Sequence, residues 1–327
     1  MLSIGILGAA GIAPSAVVIP ARHRPDVTVR AVAARDGARA AAFAARHGIE
    51  RSHGSYAELL ADPDIDLVYI ALPNSLHAEW SIRALRAGKD VLCEKPFAMT
   101  EDQARRVIAV AEETGRRVME AFHDRYHPLR EWVRTTVQSG ALGSIERVEA
   151  FFNGRSTFAP GGLRHEPALG GGALMDLGCY PVHWVRTLFP GQPAVTAASA
   201  VLNPAGADES IVADLAFRDC PSVRVRAGMA DDSPQGSALT VEGTRGRLHV
   251  DNMVFPAWGY PAELEIDGAR VPPPALHGRP TYEHQLEAVL SALEAGRPLP
   301  TEGDDILGNM STIDAIYKAA GVTRPRE

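Results

Sequence analysis

Apolar and polar positions along the first third of the chain follow two alternating periods. Short β-branched or aliphatic runs at 3–7 (SIGIL), 27–34 (VTVRAVAA), 66–72 (DLVYIAL), 90–93 (DVLC) and 116–120 (RRVME) predict strands. Between them a helical period marks 12–22, an Ala-rich stretch at 36–47, 75–87 and 100–114, with 51–61 read as a short connection. Strands and helices joined by short links predict a parallel sheet covered on both faces, because parallel neighbours need a crossover element. Gly48, Gly88 and Gly115 stand where three of these helices should stop, each able to take the positive φ that ends a helix.

After residue 120 the pattern changes. A helix is expected over 127–139, ending at Gly140, then a strand at 145–153 and a glycine-rich loop leading to a helix near 173–189. Alternating segments follow with no helix between them, at 194–202, 210–217, 222–229, 237–242, 246–251 and 262–266. Such a run predicts an antiparallel or mixed sheet, and helices at about 281–295 and 302–320 close the chain. The expected class is α/β. A doubly wound parallel sheet occupies 1–121, and an α+β unit with a large open sheet occupies 122–327, its last helix (about 302–320) packing back on the first unit.

Composition bounds this reading. A chain of 327 residues, 46% apolar, can bury a sizeable core and is long enough for two domains. A net charge of −7, with arginines such as Arg22, Arg24, Arg105, Arg106, Arg116 and Arg117 spread along helix-like segments, argues against a nucleic-acid partner. Cys93, Cys179 and Cys220 lack CxxC spacing, which supports neither a disulfide framework nor a zinc site, and no metal is expected. The opening MLSIGILGAAG has no basic leader, and no apolar run reaches the roughly 18 residues of a membrane span. A cytoplasmic protein with a small-molecule partner and no membrane contact is expected.

Candidate chemistry begins at GILGAAGIA (5–13), where the first strand gives way to a helix. Gly8 holds the first position of a dinucleotide fingerprint, while Ala10 and Ala13 stand where its other glycines are usual. The segment reads either as a tight turn with small packing residues or as a pyrophosphate cradle of Gly8, Ala10, Gly11 and Ile12; its place at the head of a βαβ series favours the cradle. At the end of the second strand, Ala33, Ala34 and Arg35 replace the carboxylate that binds a ribose diol, which favours NADP with NAD as the alternative. Asp36 reads as a helix N-cap.

In ALPNSLHAEW (71–80), Leu72, Pro73 and Asn74 fall at the carboxyl edge of the sheet, where such folds bind ligands. His77, on the next helix's first turn, is either a cofactor contact or a surface histidine. VLCEKPFAMT (91–100) ends at the same edge. Lys95 is expected beside the nicotinamide, and Glu94 is either a cofactor contact or a brace for the turn at Pro96. In LGGGALMDLGCYPVHW (169–184), Asp176, Tyr180 and His183 have the i, i+4, i+7 spacing of one helix face, proposed to meet substrate, while Leu174, Leu177, Trp184 and Leu188 fill an apolar one. Pro181 removes one helical hydrogen bond there. Arg164, before the glycines, is either a substrate contact or a solvated loop arginine.

Together with EAFHDRYHP (120–128), SGALGSIERVEA (139–150) and VEGTRGRLHV (241–250), these segments resemble in order and spacing the Gfo/Idh/MocA oxidoreductases. Tyr rather than His at 180, and VAARD at 32–36, resemble the branch of dimeric dihydrodiol dehydrogenases, xylose dehydrogenases and glucose-fructose oxidoreductase. Gly11 departs from a larger polar residue common in that branch. The resemblance implies a Rossmann first domain, a catalytic pair Lys95 and Tyr180 oriented by Asp176, a cis Lys95–Pro96 peptide, and Arg125 and His127 near the nicotinamide. A phenol with its ordinary pKa of about 10 is a weak base at neutral pH, and a nearby ammonium lowers that value; Lys95 itself is the alternative proton carrier. The expected activity is NADP-dependent hydride transfer at a secondary alcohol, carbonyl or hemiacetal of a sugar or cyclic diol, by a homodimer or homotetramer built on the C-terminal sheet. A nucleotide-sugar ketoreductase and a non-catalytic NADP-responsive regulator are the alternatives.

Overall fold

The computed structural model describes residues 1–230, 233–276 and 278–325. Two compact units emerge: Met1–Phe122 with Tyr282–Leu307, and His123–Thr281 with Gly308–Glu327.

The first unit runs β1 (Leu2–Leu7), a π turn (Pro14–Val18), α1 (Ile19–Arg22), β2 (Val27–Ala33), α2 (Gly37–His47), β3 (Arg51–His53), α3 (Tyr56–Ala61), β4 (Leu67–Ile70), α4 (His77–Arg86), β5 (Asp90–Cys93), α5 (Glu101–Thr114) and β6 (Val118–Glu120). Its six strands are parallel in the order β3-β2-β1-β4-β5-β6. The order reverses between β1 and β4, so the carboxyl ends of β1, β4 and β5 lie side by side at the switch point where this topology takes ligands. Gly48, Gly88 and Gly115 have φ of 66°, 75° and 65°, as helix ends require.

The stretch 51–61 is more than a connection, since it folds as β3 and α3. Strand and helix of three and six residues are too short for a period to show in sequence. Their anchor is packing: Leu59 of α3 packs directly over Gly5 in β1, where an added Cβ would lie 2.7 Å from Leu59 Cδ2 and push that side chain aside. Lys89 fixes the following loop. It is buried, and its Nζ donates to Asp62 O at 2.8 Å and Ile65 O at 2.7 Å.

The second unit contains α6 (Pro128–Gln138), β7 (Ile145–Asn153), a π turn (Leu174–Gly178), α7 (Cys179–Leu188), β8 (Ala194–Leu202), β9 (Asp208–Phe217), β10 (Cys220–Gly228), β11 (Gly236–Gly243), β12 (Gly246–Asp251), β13 (Ala262–Ile266) and β14 (Ala269–Val271). They form a mixed eight-stranded sheet in the order β14-β13-β12-β11-β7-β10-β9-β8, with β7 parallel to β10. One face buries residues such as Val148, Ala213, Leu215, Val225 and Ala227. The other carries cross-strand ion pairs, including Arg224–Asp214 and Arg226–Glu149.

Two closing helices follow, α8 (Thr281–Ala295) and α9 (Asp304–Ala319). The expectation that 302–320 packs on the first unit is corrected, because the chain changes unit at Leu307. Arg117 ties α8 and its linker to the first unit, donating to Ala292 O, Arg297 O and Glu302 Oε1. Most of α9 serves the second unit through Asn309 to Cys179 O and Tyr317 to Asp208. Among the described residues, no helix is long and apolar enough to cross a membrane.

Replacing Lys89 by Met removes the Nζ donor from Ile65 O and leaves Asp62 O with only the long contact from the Ile65 amide, a loss of roughly 1–3 kcal/mol. A urea unfolding series should therefore show a clearly lower midpoint for Lys89→Met than for wild type. An unchanged midpoint would show that the two carbonyls find other donors.

Candidate active site

Construction of the first unit's edge begins at Gly8, which has φ of 105° and approaches the end of β4 so closely that a Cβ would lie 2.4 Å from Ala71 O. Glycine is required there by the neighbouring strand as well as by any ligand. Beyond it, Ala10, Gly11 and Ile12 on one side and Leu72, Pro73 and Asn74 on the other are accessible. A Cβ at Gly11 meets nothing within 4 Å, so the turn there is open. Asp36 is the N-cap of α2, accepting from the Ala38 and Arg39 amides. That leaves Arg35 exposed at the end of β2, joined by a residue the sequence reading missed. Arg39, one helical turn on, donates to Ala9 O at 3.0 Å. Both guanidinium groups lie near Tyr56, whose pKa is raised by burial and drawn back by these two charges. Two arginines beside a glycine turn, with the nearby carboxylate used as a cap, suit a phosphorylated ribose.

The segment after β5 is held from three sides. Tyr69 on β4 donates to Glu94 Oε1 at 2.6 Å, so Glu94 is a brace. The Phe97 amide donates to Glu120 Oε1 at 2.9 Å, from the end of β6. His77 is the third support, and the expectation for it is corrected: it is wholly buried, with Nδ1 2.9 Å from Pro96 O and Nε2 2.9 Å from Leu72 O. It pins the two ligand-edge loops together and is not open to a cofactor. Burial pushes its pKa down to about 4, assisted by the Lys95 charge, so the ring is neutral at pH 7 and donates to one carbonyl at a time. Lys95 itself is half-buried, and the Lys95–Pro96 peptide is cis.

In the second unit the three glycines have separate causes. Gly170 ends a short turn with φ of 84°, a Cβ at Gly171 would lie 2.7 Å from the Arg164 main chain, and one at Gly172 would lie 2.1 Å from Asp208 Oδ1. Asp208 is nearly fully buried and accepts from the Leu174 amide and the Tyr317 hydroxyl, both at 2.7 Å. Burial pushes its pKa up to about 6 despite these donors. The close approach at Gly171 sets Arg164 where its Nε donates to Asp176 Oδ2 at 2.6 Å. These two predicted residues are therefore brought together, at a partly exposed position.

Tyr180 takes a different partner. A π turn over Leu174–Gly178 precedes α7, so Asp176, Tyr180 and His183 do not keep simple α spacing. Tyr180 Oη lies 3.0 Å from His123 Nε2, and His123 Nδ1 lies 2.7 Å from Thr281 Oγ1. His183 is corrected as a substrate contact, since it is 0% exposed. The two-faced helix is corrected with it, because the side chains from Cys179 to Val185 are all buried, packed against the sheet and α6. Pro181 lies just beyond the π turn inside one continuous helical run, where it removes one helical hydrogen bond. His127 caps α6 by accepting from the Leu129 amide, and Arg125 has a buried Nε with no hydrogen-bond partner among the described residues. Among the described residues, no group of three or more His, Cys, Asp or Glu is arranged to hold a metal ion.

Residues 2–122 match the family profile "Oxidoreductase family, NAD-binding Rossmann fold", and residues 131–249 match the GFO/IDH/MocA C-terminal domain. D-xylose 1-dehydrogenase (NADP+) 2 of Haloferax volcanii is 37% identical over 322 residues, 98% of this chain and 97% of that one. Trans-1,2-dihydrobenzene-1,2-diol dehydrogenase of Xenopus laevis is 36% identical over 231 residues, 70% of this chain and 69% of that one. The structure of a 3-ketoreductase from Actinomadura kijaniata with NADP and TDP-benzene superposes with a TM-score of 0.88 at 29% identity, covering 97% of each chain.

The raised pKa of Asp208 carries a definite sign. In the pH range from 3.8 to about 6 the folded chain holds a proton that the unfolded chain has lost, so this group's contribution to stability falls as pH rises through that window. Asp208→Asn stays neutral throughout. Its melting temperature relative to wild type should rise between pH 4 and pH 7, by an amount equivalent to roughly 3 kcal/mol. A difference that is flat with pH would refute the buried ionisation.

Proposed function

The chain belongs to the Gfo/Idh/MocA oxidoreductase family, and from that premise we propose that it is an NADP-dependent dehydrogenase or reductase acting on a CH–OH group of a sugar or cyclic diol. The observation that carries this reading is the retention of Lys95 after β5 and of a hydrogen-bonded phenol at Tyr180, in a chain that matches a D-xylose dehydrogenase along 98% of its length. The cofactor is supported by the accessible turn at Ala10, Gly11 and Ile12, the paired guanidinium groups of Arg35 and Arg39, and the buried Arg125 Nε, which suits an anionic oxygen. When bound, the nicotinamide supplies the hydride acceptor or donor.

This chain's residues supply the rest. In oxidation Tyr180 takes the substrate hydroxyl proton, and in reduction it returns it. Lys95 is the cation of the pair that the family resemblance implies, and an ammonium favours an ionised phenol and a developing alkoxide, each unit of pKa shift being worth about 1.4 kcal/mol. Asp176, held by Arg164, orients substrate hydroxyls. Among the described residues the buried Cys93, Cys179 and Cys220 form no disulfide, which suits a reducing cytoplasm, and the outer face of the eight-stranded sheet is the surface proposed to form a homodimer or homotetramer. A nucleotide-linked ketosugar is the second reading, favoured by the 0.88 TM-score with the 3-ketoreductase.

Two measurements test the proposal. Purified protein given NADP+ or NAD+ with aldoses, polyols and cyclic diols, and NADPH with a dTDP-linked ketosugar, should show NADP-linked turnover by absorbance of reduced nicotinamide. Lys95→Ala and Tyr180→Phe should each lower kcat by about 10²-fold or more while NADPH binding persists. If NADPH binds yet both variants keep every turnover, the catalytic assignment of Lys95 and Tyr180 is wrong. Separately, the double variant Arg35→Ala/Arg39→Ala should raise KM for NADP+ by about tenfold or more and leave that for NAD+ nearly unchanged, since two charge-assisted contacts are lost only from the phosphate. Equal effects on both cofactors would remove the arginines from the specificity argument.

A further inference from the structure

We propose that Asp208 is a positioning residue for the reaction, fixing with Tyr317 and Arg324 the turn from which Asp176 meets substrate; this rests on Asp176 being a substrate contact. Asp176 lies in the π turn over Leu174–Gly178, between two attachments. On its partly exposed side, Arg164 Nε donates to the carboxylate at 2.6 Å. On its buried side the turn is tied down just ahead of it. The Leu174 amide donates to Asp208 Oδ2 at 2.7 Å, and the Asp176 amide itself donates to Gly172 O at 2.9 Å. Gly172 lies directly on the anchor, since a Cβ there would stand 2.1 Å from Asp208 Oδ1 and 2.9 Å from the Tyr317 hydroxyl. All of these residues belong to the second unit.

The chemistry of the anchor decides the form it must take. The Leu174 amide is a donor, and so is the Tyr317 hydroxyl, which reaches Asp208 Oδ1 at 2.7 Å. An ionised carboxylate accepts at both oxygens, whereas a carboxylic acid or an amide turns one of the two positions into a donor. The turn is therefore fully held only while Asp208 is ionised. Burial opposes this and pushes its pKa up to about 6, while the Leu174 amide, the Tyr317 hydroxyl and the Arg324 charge act the other way. Arg324 lies beyond α9, its guanidinium 4.2 Å from the centre of the Tyr317 ring and paired with Asp314. Its Nη1 lies 3.4 Å from Met175 Sδ, so the same side chain touches the residue next to Asp176. Above about pH 6 the anchor is charged and the turn is set. As pH falls below that value the carboxyl takes up a proton, one donor loses its acceptor, and the hold on Asp176 loosens.

A purely structural Asp208 would set the melting temperature and leave the kinetics of the folded protein unchanged, so the test is kinetic. Rates are measured well below the melting temperature, from about pH 5 to 8, with NADP+ and D-xylose, D-glucose or trans-cyclohexane-1,2-diol. Asp208→Asn should raise KM for the alcohol about tenfold, with kcat and KM for NADP+ within about threefold of wild type, because a binding contact is displaced and the proton carrier is not. It should also abolish the acid limb that wild-type kcat/KM shows near pH 6. Arg324→Gln should move that limb to higher pH by about half a unit, and Arg324→Lys, which restores the charge, should return it. If Asp208→Asn does not fold, the two Arg324 variants decide alone. Wild-type KM in Asp208→Asn, or an acid limb that Arg324→Gln leaves in place, would overturn the positioning role while a raised KM in Asp176→Asn keeps Asp176 as the substrate contact. Wild-type KM in Asp176→Asn, or no turnover of any of the three alcohols by wild type, would instead overturn the reading of the site and the positioning role with it.

Discussion

Every polar main-chain atom on the segment that follows the buried strand β5 has to be met from inside the protein, and this requirement shapes the first unit's ligand edge. β5 lies between β4 and β6 and leaves the sheet into a segment that is nearly all buried from Glu94 to Met99. The partners come from three different elements: Tyr69 on β4 meets the Glu94 side chain, His77 at the head of α4 meets Pro96 O, and Glu120 at the end of β6 meets the Phe97 amide. Lys95, half-buried within this frame, is thereby fixed relative to the cofactor turn. The second unit solves the same problem once more. Asp208 meets the Leu174 amide, so the helix carrying Asp176 and Tyr180 starts from one place.

Magnitudes separate these contacts from the more numerous surface pairs. Exposed pairs such as Arg105–Glu101 or Arg245–Asp267 are screened by solvent and contribute little. Loss of a buried partner strands a desolvated group, at about 1–3 kcal/mol. The buried titratable groups also give the units opposite responses to acid. His77, depressed from 6.5 to about 4, contributes stability present above pH 6.5 and lost as pH falls toward 4. Asp208, raised from 3.8 to about 6, has the opposite slope over nearly the same window. The two trends partly cancel in the whole chain, so each is visible only against its own neutral replacement.

Legibility of the fold in the sequence follows the length of the repeat. β5, β7, β8, β12, β13 and α8 lie on the bounds their periodicity predicts, because each has enough residues between clear turn signals. β3, α3 and β14 escape notice because no clear apolar alternation or turn signal marks them off, and α3 is placed by tertiary packing of Leu59 against Gly5. At the candidate site, sequence identifies the side chains that need special chemistry, Lys95, Asp176 and Tyr180. It does not show what holds them. His77 reads as a ligand or a surface residue because nothing local shows that two carbonyls, one of them 19 residues away, close on its ring. His123 stands in EAFHDRYHP, but its partner Thr281 is 158 residues distant. Arg39 had a local signal, since it stands in the first turn of α2 directly after the glycine-turn and Arg35 segments.

The company that Tyr180 keeps bears on whether this family member is a catalyst or only a dinucleotide binder. Of the groups proposed to bind the cofactor, the glycine turn, Arg35, Arg39 and the braced loop after β5 lie in the first unit and Arg125 in the second. Binding alone does not need a phenol, an imidazole and a hydroxyl enclosed in line within the second. Burying three polar side chains at 0–3% exposure is unfavourable unless each satisfies another, and well-packed apolar residues of similar size would fill the same volume with no such condition. Tyr180, His123 and Thr281 do satisfy one another, which explains why the arrangement is tolerated.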